Sequence, residues 1–316
     1  MENSNDQCKN IKDYYTPFVL SDYLEDTDAV SPILDKPNIT NGHQASQTVR
    51  RWALIIVDVQ NDFVNGSMSL KNFFNGEEAA EVIPAINRLL QYVKFDLIVY
   101  SRDCHPFDHC SFISSSVTPK APVQKWPEHC VENTWGAQYA AGLITEPQSL
   151  NPTVKKISIM KGLKRDEECF SAFRGTLVEH SLHQSSQTLQ EIIKNEKIDQ
   201  IFVCGLATDY CVRETCHDAR NFCQRQETFV LVDASRGVKP FHPLRFLEID
   251  VKMITTDRLI QSVLIHKEKI LKLDAIYDDD DDDDGDDYDF KIFSQITICS
   301  YIFKFLLLHY VKLLID

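Results

Sequence analysis

Two short runs without a polar interruption constrain this chain most: Trp52-Ala-Leu-Ile-Ile-Val57 and Ile201-Phe-Val-Cys204. A strand with one wet face alternates apolar and polar residues, so a run that does not alternate needs cover on both faces. The first run stops at a carboxylate, Asp58, and the second at Gly205. Shorter strand-like runs recur at residues 96–101, 155–160, 228–232 and 251–254. Between them, residues 77–94 repeat apolar side chains at helical spacing (Ala80, Ile83, Ile86, Leu89, Leu90, Val93), with Pro84 tolerable in the first turns. Residues 188–197, the stretch after Thr208 and residues 243–249 also read as helices. Thr208 and Asp209 are N-cap types and mark the start of theirs. This order of strands and helices predicts an α/β fold, a doubly wound and mainly parallel sheet with helices on both faces.

Three regions are expected. Residues 1–49 are polar, rich in Asn, Asp, Ser and Pro, and read as mostly disordered. Residues 50–268 hold the compact domain. Residues 269–316 join an acidic run to an apolar tail. The formal net charge is −14 over 316 residues, but the run from Asp278 to Asp289 supplies ten Asp, leaving 37 acids against 33 bases elsewhere, about −4. The domain is therefore only mildly acidic. It has no basic patch interleaved with aromatics, which argues against nucleic acid as a partner. Residues 292–315 are long enough for a membrane anchor, but Lys304 near the middle is expensive there, so an extension outside the fold is favoured over an anchor. The first residues lack a basic and then apolar leader. With ten cysteines and no CxxC pair, reduced thiols and a cytoplasmic protein are expected, with the nucleus as an alternative. A homo-oligomer is the partner reading beyond a small-molecule substrate.

In an open α/β sheet, sites gather beyond the carboxyl ends of the strands. Four chemically able residues sit at such ends: Asp58, Asp103, Lys161 and Cys211. Each alone has an ordinary explanation, a turn former or a surface lysine, and a free cysteine is usually a small core residue. Together, Cys211, Asp58 and Lys161 form a set for acyl transfer: a carboxylate takes the thiol proton and an ammonium holds both anions. Cys211 in a first helical turn should have its thiolate favoured by the helix dipole. Backbone N–H groups of Ala207 and Cys211 are placed to stabilise an oxyanion.

A second cluster lies in the long loop of residues 103–136. Asp103-x-His105 puts two ligands on one side of an extended segment, and His129 supplies a distant third. Such a facial set suits zinc, iron or manganese without distinguishing them. His109 is a further contact or a supporting residue. Cys104, Cys110 and Cys130 are alternative ligands, ranked lower because they repeat no ligand spacing. Exposed loop histidines remain the plain alternative.

Taken together, Val57-Asp-Val-Gln-Asn-Asp-Phe63, Ser101-Arg-Asp103-x-His105-Pro106-x-x-His109-x-Ser111-Phe112, Trp126-Pro127-x-His129-Cys130, Lys161-Gly162 with Ser171-Ala-Phe173, and Ala207-Thr-Asp-Tyr-Cys-Val212 resemble the isochorismatase-like cysteine hydrolases. Within that family they are similar to the nicotinamidases. The resemblance spans about residues 52–265. It implies Asp58, Lys161 and Cys211 as catalytic residues, and Asp103, His105 and His129 around one divalent metal, zinc first and iron or manganese next. It also implies a cis peptide before Ala207, and Phe63, Trp126 and Phe170 around the substrate ring. The implied reaction is hydrolysis of nicotinamide to nicotinate through a cysteine thioester, the metal holding the pyridine nitrogen. Cys104 and Phe170 depart from the family's usual Trp and Tyr. Another amidase of this fold, or a non-enzymatic metal-binding or thiol-sensing protein, are the alternatives.

Overall fold

The computed structural model describes residues 20–30, 50–178 and 187–277. Seven strands, β1 (Trp52–Val57), β2 (Leu97–Asp103), β3 (Lys155–Lys161), β4 (Thr176–Val178), β5 (Gln200–Leu206), β6 (Glu227–Arg236) and β7 (Lys252–Ile254), form one sheet. Their order across it is β4-β3-β2-β1-β5-β6-β7. Every pairing is parallel except that of β3 with β4. The helices are α1 (Asn61–Val64), α2 (Val82–Tyr92), α3 (Leu189–Asn195), α4 (Arg213–Phe222), α5 (Leu244–Leu247) and α6 (Thr256–Tyr277).

The uninterrupted run of β1 is explained by two cores. Trp52, Leu54 and Ile56 pack into one with Val82, Ile86 and Leu89 of α2 and Leu259 of α6. Ala53, Ile55 and Val57 pack into the other with Ile192 of α3 and Cys216 and Ala219 of α4. No residue of β1 is more than 3% exposed, so both faces are covered as the sequence requires. Each Leu or Ile so buried contributes about 1.5–3 kcal/mol. A capping box starts α3: the Thr188 hydroxyl accepts from Glu191 N at 3.2 Å, and the Glu191 carboxylate accepts from Thr188 N at 2.8 Å.

The structure differs from the sequence reading at several ends. Strands β2, β3 and β6 run on to Asp103, Lys161 and Arg236. Gly205 lies inside β5 instead of ending it, at φ +117°, where a Cβ would strike the Val57 carbonyl of the neighbouring strand. The register of β5 against β6 shifts there. Neither Thr208 nor Asp209 caps a helix. Residues Thr208–Val212 form a π-turn with Ala207 at its cap position, and α4 begins at Arg213. Helix α6 was not expected. Its apolar positions Leu259, Ile260, Val263 and Leu264 join the core, but the charged residues that follow blur the period.

Within the stretch read as mostly disordered, residues 20–30 are docked. Leu24 bridges to Met253 in parallel fashion, Arg258 Nη1 donates to the Leu24 and Glu25 carbonyls at 2.9 and 2.8 Å, and Val30 is fully buried. The rest of residues 1–49, the acidic run and the apolar tail lie outside the described residues. Residues 1–266 make up one unit. A second begins at Lys267, described as helical backbone to Tyr277. Among the described residues no helix is long and apolar enough to cross a membrane.

Candidate active site and metal centre

From β1 the chain builds outward through β2 to β3, then returns to place β5 on the other flank of β1. That reversal opens a crevice at the strands' carboxyl ends. Asp103 and Lys161 are register partners at the ends of β2 and β3. Asp58 follows β1 at φ +48°, a left-handed conformation that Asp tolerates better than most residues. Cys211 follows β5 in the π-turn, and the Leu206–Ala207 peptide before that turn is cis.

Lys161 is the hub. It is 1% exposed, and its Nζ lies 2.8 Å from Asp58 Oδ2 and 3.2 Å from Cys211 Sγ. It also pairs with Asp103 Oδ1 and donates to the Cys169 carbonyl at 3.3 Å. Burial works to neutralise this ammonium, but Asp103 and Asp58 hold its pKa well above the usual lysine value. Asp58 is fully buried, and burial raises its carboxyl to about 6 against the pull of Lys161 and a 2.8 Å hydrogen bond from Ser101 Oγ. Burial also works upward on Asp103, where Lys161 with His105 and His129 outweighs it and holds the group below the carboxylate range. Cys211 is 6% exposed. Burial pushes its thiol well above the ordinary cysteine value, Lys161 pulls it back, and Asp58 adds to the rise. Burial thus opposes the thiolate that the helix dipole is expected to favour, and Lys161 pulls toward it.

One ligand atom each of Asp103, His105 and His129 lies within 4.8 Å of the others, and all three residues are buried. Two donors each about 2.1 Å from one ion stand about 3–4 Å apart, so the trio needs little closing. The imidazoles are oriented for it. His105 Nδ1 meets the Gly162 carbonyl at 3.0 Å and His129 Nδ1 meets the Pro127 carbonyl at 2.7 Å. A carbonyl only accepts, so both rings donate from Nδ1, and Nε2 is the nitrogen left for a metal. His105 Nε2 is buried without a hydrogen-bond partner, and burial depresses this ring to about 3, keeping it neutral. The residues therefore fit a divalent metal. His109 is not aimed at this trio: its nitrogens meet Ser111 Oγ at 2.7 Å and the Glu167 carbonyl at 3.0 Å, and its ring stacks on His105 at 4.1 Å. Cys104, Cys110 and Cys130 join no ligand group among the described residues.

Beside these groups lies a narrow cavity lined by Asp103, His129, Ala207 and Cys211 and walled by Phe63, Trp126 and Phe170. All three aromatics expected around a ring are therefore present. Tyr210 was missed; its ring meets Trp126 at 5.1 Å and Phe170 at 5.9 Å. Gln60 was quoted in a motif without a role. Its side chain accepts from Asp103 N at 2.8 Å and donates to the Asp103 carbonyl at 2.8 Å, clamping the backbone of Asp103. Asp62 accepts from Cys130 N at 2.7 Å and so fixes the segment that carries His129. A buried amide and a buried carboxylate beside a strand end are the signal that marks both.

Residues 52–241, more than half of the chain, match the model of the Isochorismatase domain. The chain belongs to the isochorismatase family of hydrolases. Within the family it is similar to the nicotinamidase of Schizosaccharomyces pombe, 35% identical over 236 residues that cover 67% of this chain and 96% of that protein. Two solved structures share the family fold with it. The nicotinamidase/pyrazinamidase of Acinetobacter baumanii is 28% identical with a TM-score of 0.52, covering 66% of this chain and 98% of that one. PnC1 from L. infantum in complex with nicotinate has the same identity, TM-score and coverage of this chain, and 94% of its own length is covered.

Proposed function

We propose that this chain hydrolyses nicotinamide to nicotinate and ammonia, the entry step of NAD salvage from the free amide, with Asp58, Lys161 and Cys211 as catalytic residues. The observation that carries this reading is Lys161 Nζ, which touches the Asp58 carboxylate and the Cys211 sulfur at once beside the trio of ligands. Asp58 accepts the Sγ proton, and sulfur forms a bond to the amide carbon. Lys161 holds the resulting anions close, and N–H groups of Ala207 and Cys211 receive the oxyanion. Asp58 returns the proton to the amide nitrogen, the C–N bond breaks and ammonia leaves. Asp58 then deprotonates a water that adds to the thioester, the C–S bond breaks, and the proton returns to sulfur. Asp103, His105 and His129 would hold a divalent transition metal, zinc first and iron or manganese next, and the chemistry supplied there would be a Lewis-acid contact for the pyridine nitrogen. Phe63, Trp126 and Phe170 confine the ring. The Cys211→Ala variant should lose turnover by about 10⁴-fold or more while keeping its metal, read by ammonia release and metal content. Ammonia release at the wild-type rate in that variant would sink the scheme.

A further inference from the structure

A second, larger recess lies behind the substrate cavity. It is open to solvent, holds about 650 Å³, and shares two lining residues with the cavity, Glu168 and Phe170. These two side chains are the partition. They are held differently. Glu168 is tied back, its carboxylate accepting from Cys169 N at 2.8 Å. Phe170 is half-buried, and its ring lies tilted against that of Tyr210, with centroids 5.9 Å apart. The far side of the recess presents Ala121, Pro122, Val123 and Leu163. The cations around it are already neutralised: Lys120 and Lys164 pair with Glu167 at 2.6 Å each, and Arg174 grips Asp218 through two bonds of 2.7 and 2.9 Å. The recess thus sets that apolar strip beside ion-paired cations and the Glu168 carboxylate.

We infer that Phe170 sets the size limit of the substrate, and that the recess behind it takes apolar substituents on a pyridine carboxamide once that ring is trimmed. The inference rests on the proposed reaction. In that reaction the ring nitrogen and the carboxamide are both engaged, so the edge left over is C4–C5. Of the aromatics around the cavity only Phe170 also lines the recess, so a group that reaches the recess passes Phe170. A hydrophobic wall discriminates by the volume it denies, and a difference of one or a few carbons changes kcat/KM by about 10- to 200-fold.

The test compares kcat/KM for nicotinamide and for nicotinamide carrying a phenyl group at C5, in the full-length, metal-loaded enzyme. The wild type should prefer nicotinamide by about 100-fold or more, and Phe170→Ala should narrow that ratio by at least about 10-fold. Phe170→Leu, the milder cut, should narrow it less. Trp126→Ala enlarges the cavity on a wall that does not border the recess, and should leave the ratio nearer the wild-type value than Phe170→Ala does. If both Phe170 variants keep the wild-type ratio, or if Trp126→Ala narrows it as much, the partition is not Phe170 and the inference is overturned. If the wild type releases no ammonia from nicotinamide, the proposed reaction falls and the inference with it; a wild type active on nicotinamide with an unmoved ratio overturns the inference alone.

Discussion

The polar floor of the site and its aromatic wall are held by different forces. On the floor, Asp58, Asp103, His105, His129 and Lys161 are at most 4% exposed. Each is fixed by directed contacts such as Lys161 to Asp58 at 2.8 Å and His129 to the Pro127 carbonyl at 2.7 Å. On the wall, Trp126, Phe170 and Tyr210 meet only through ring contacts 5.1–5.9 Å apart between centroids. The floor residues are interdependent, because a buried charge that loses its partner has no water to replace it. The wall residues are exchangeable in shape, and an aromatic contact contributes only about 0.5–1.5 kcal/mol beyond area burial. Damage to the floor should therefore break the site, and damage to the wall should tune it.

The harshest way to test that contrast is Lys161→Met. It strands two buried carboxylates, and should both abolish turnover and cost about 3–5 kcal/mol of stability, read from the urea midpoint. A variant as stable as the wild type would show that the floor is not a coupled unit. Removing the metal with a chelator comes next. Metal at about 1,000 times its Kd adds about 4 kcal/mol to the folded state, so chelation should lower Tm and stop ammonia release, and added zinc should restore both. An unchanged Tm would detach the histidine trio from the metal. Gly162→Ala is milder. Gly162 has φ +67°, and a Cβ there would fall on the His105 ring. Displacing that ring should weaken metal binding about 10-fold, measured by titration with a competing chelator.

The smallest effect is expected from Ser101→Ala. The Ser101 hydroxyl favours the charged form of Asp58, so it lowers that pKa, and its loss must raise it. With Asp58 at about 6, kcat/KM of the wild type should hold above that pH and fall as pH drops through it. In Ser101→Ala the acid limb should move upward, while the alkaline side stays in place. A limb that moves down, or does not move, would remove Asp58 from the role of base.

How legible each part was follows from the range of the interaction that forms it. Strands β1 and β5 were readable because two-sided burial forbids polar residues in the run, as in Trp52–Val57. Asp58, Asp103, Lys161 and Cys211 were readable because each lies at or shortly after a strand end, and parallel strands bring their ends to one edge. Strand β4 was not, because three residues paired antiparallel at an edge carry no pattern of their own. Tyr210 was quoted in a motif, yet nothing in its neighbours says that its ring turns toward Trp126, 84 positions earlier in the sequence.

The sequence by itself determined a parallel sheet buried on both faces and the residue types gathered at one of its edges, because periodicity and strand termini are local properties. Only the tertiary structure decided that burial works against the Cys211 thiolate while Lys161 works for it, which nitrogen of His105 stays free, and that Phe170 lines two spaces. Those depend on burial and on partners from distant segments, and desolvation is a property of the packed molecule that no single stretch of chain contains.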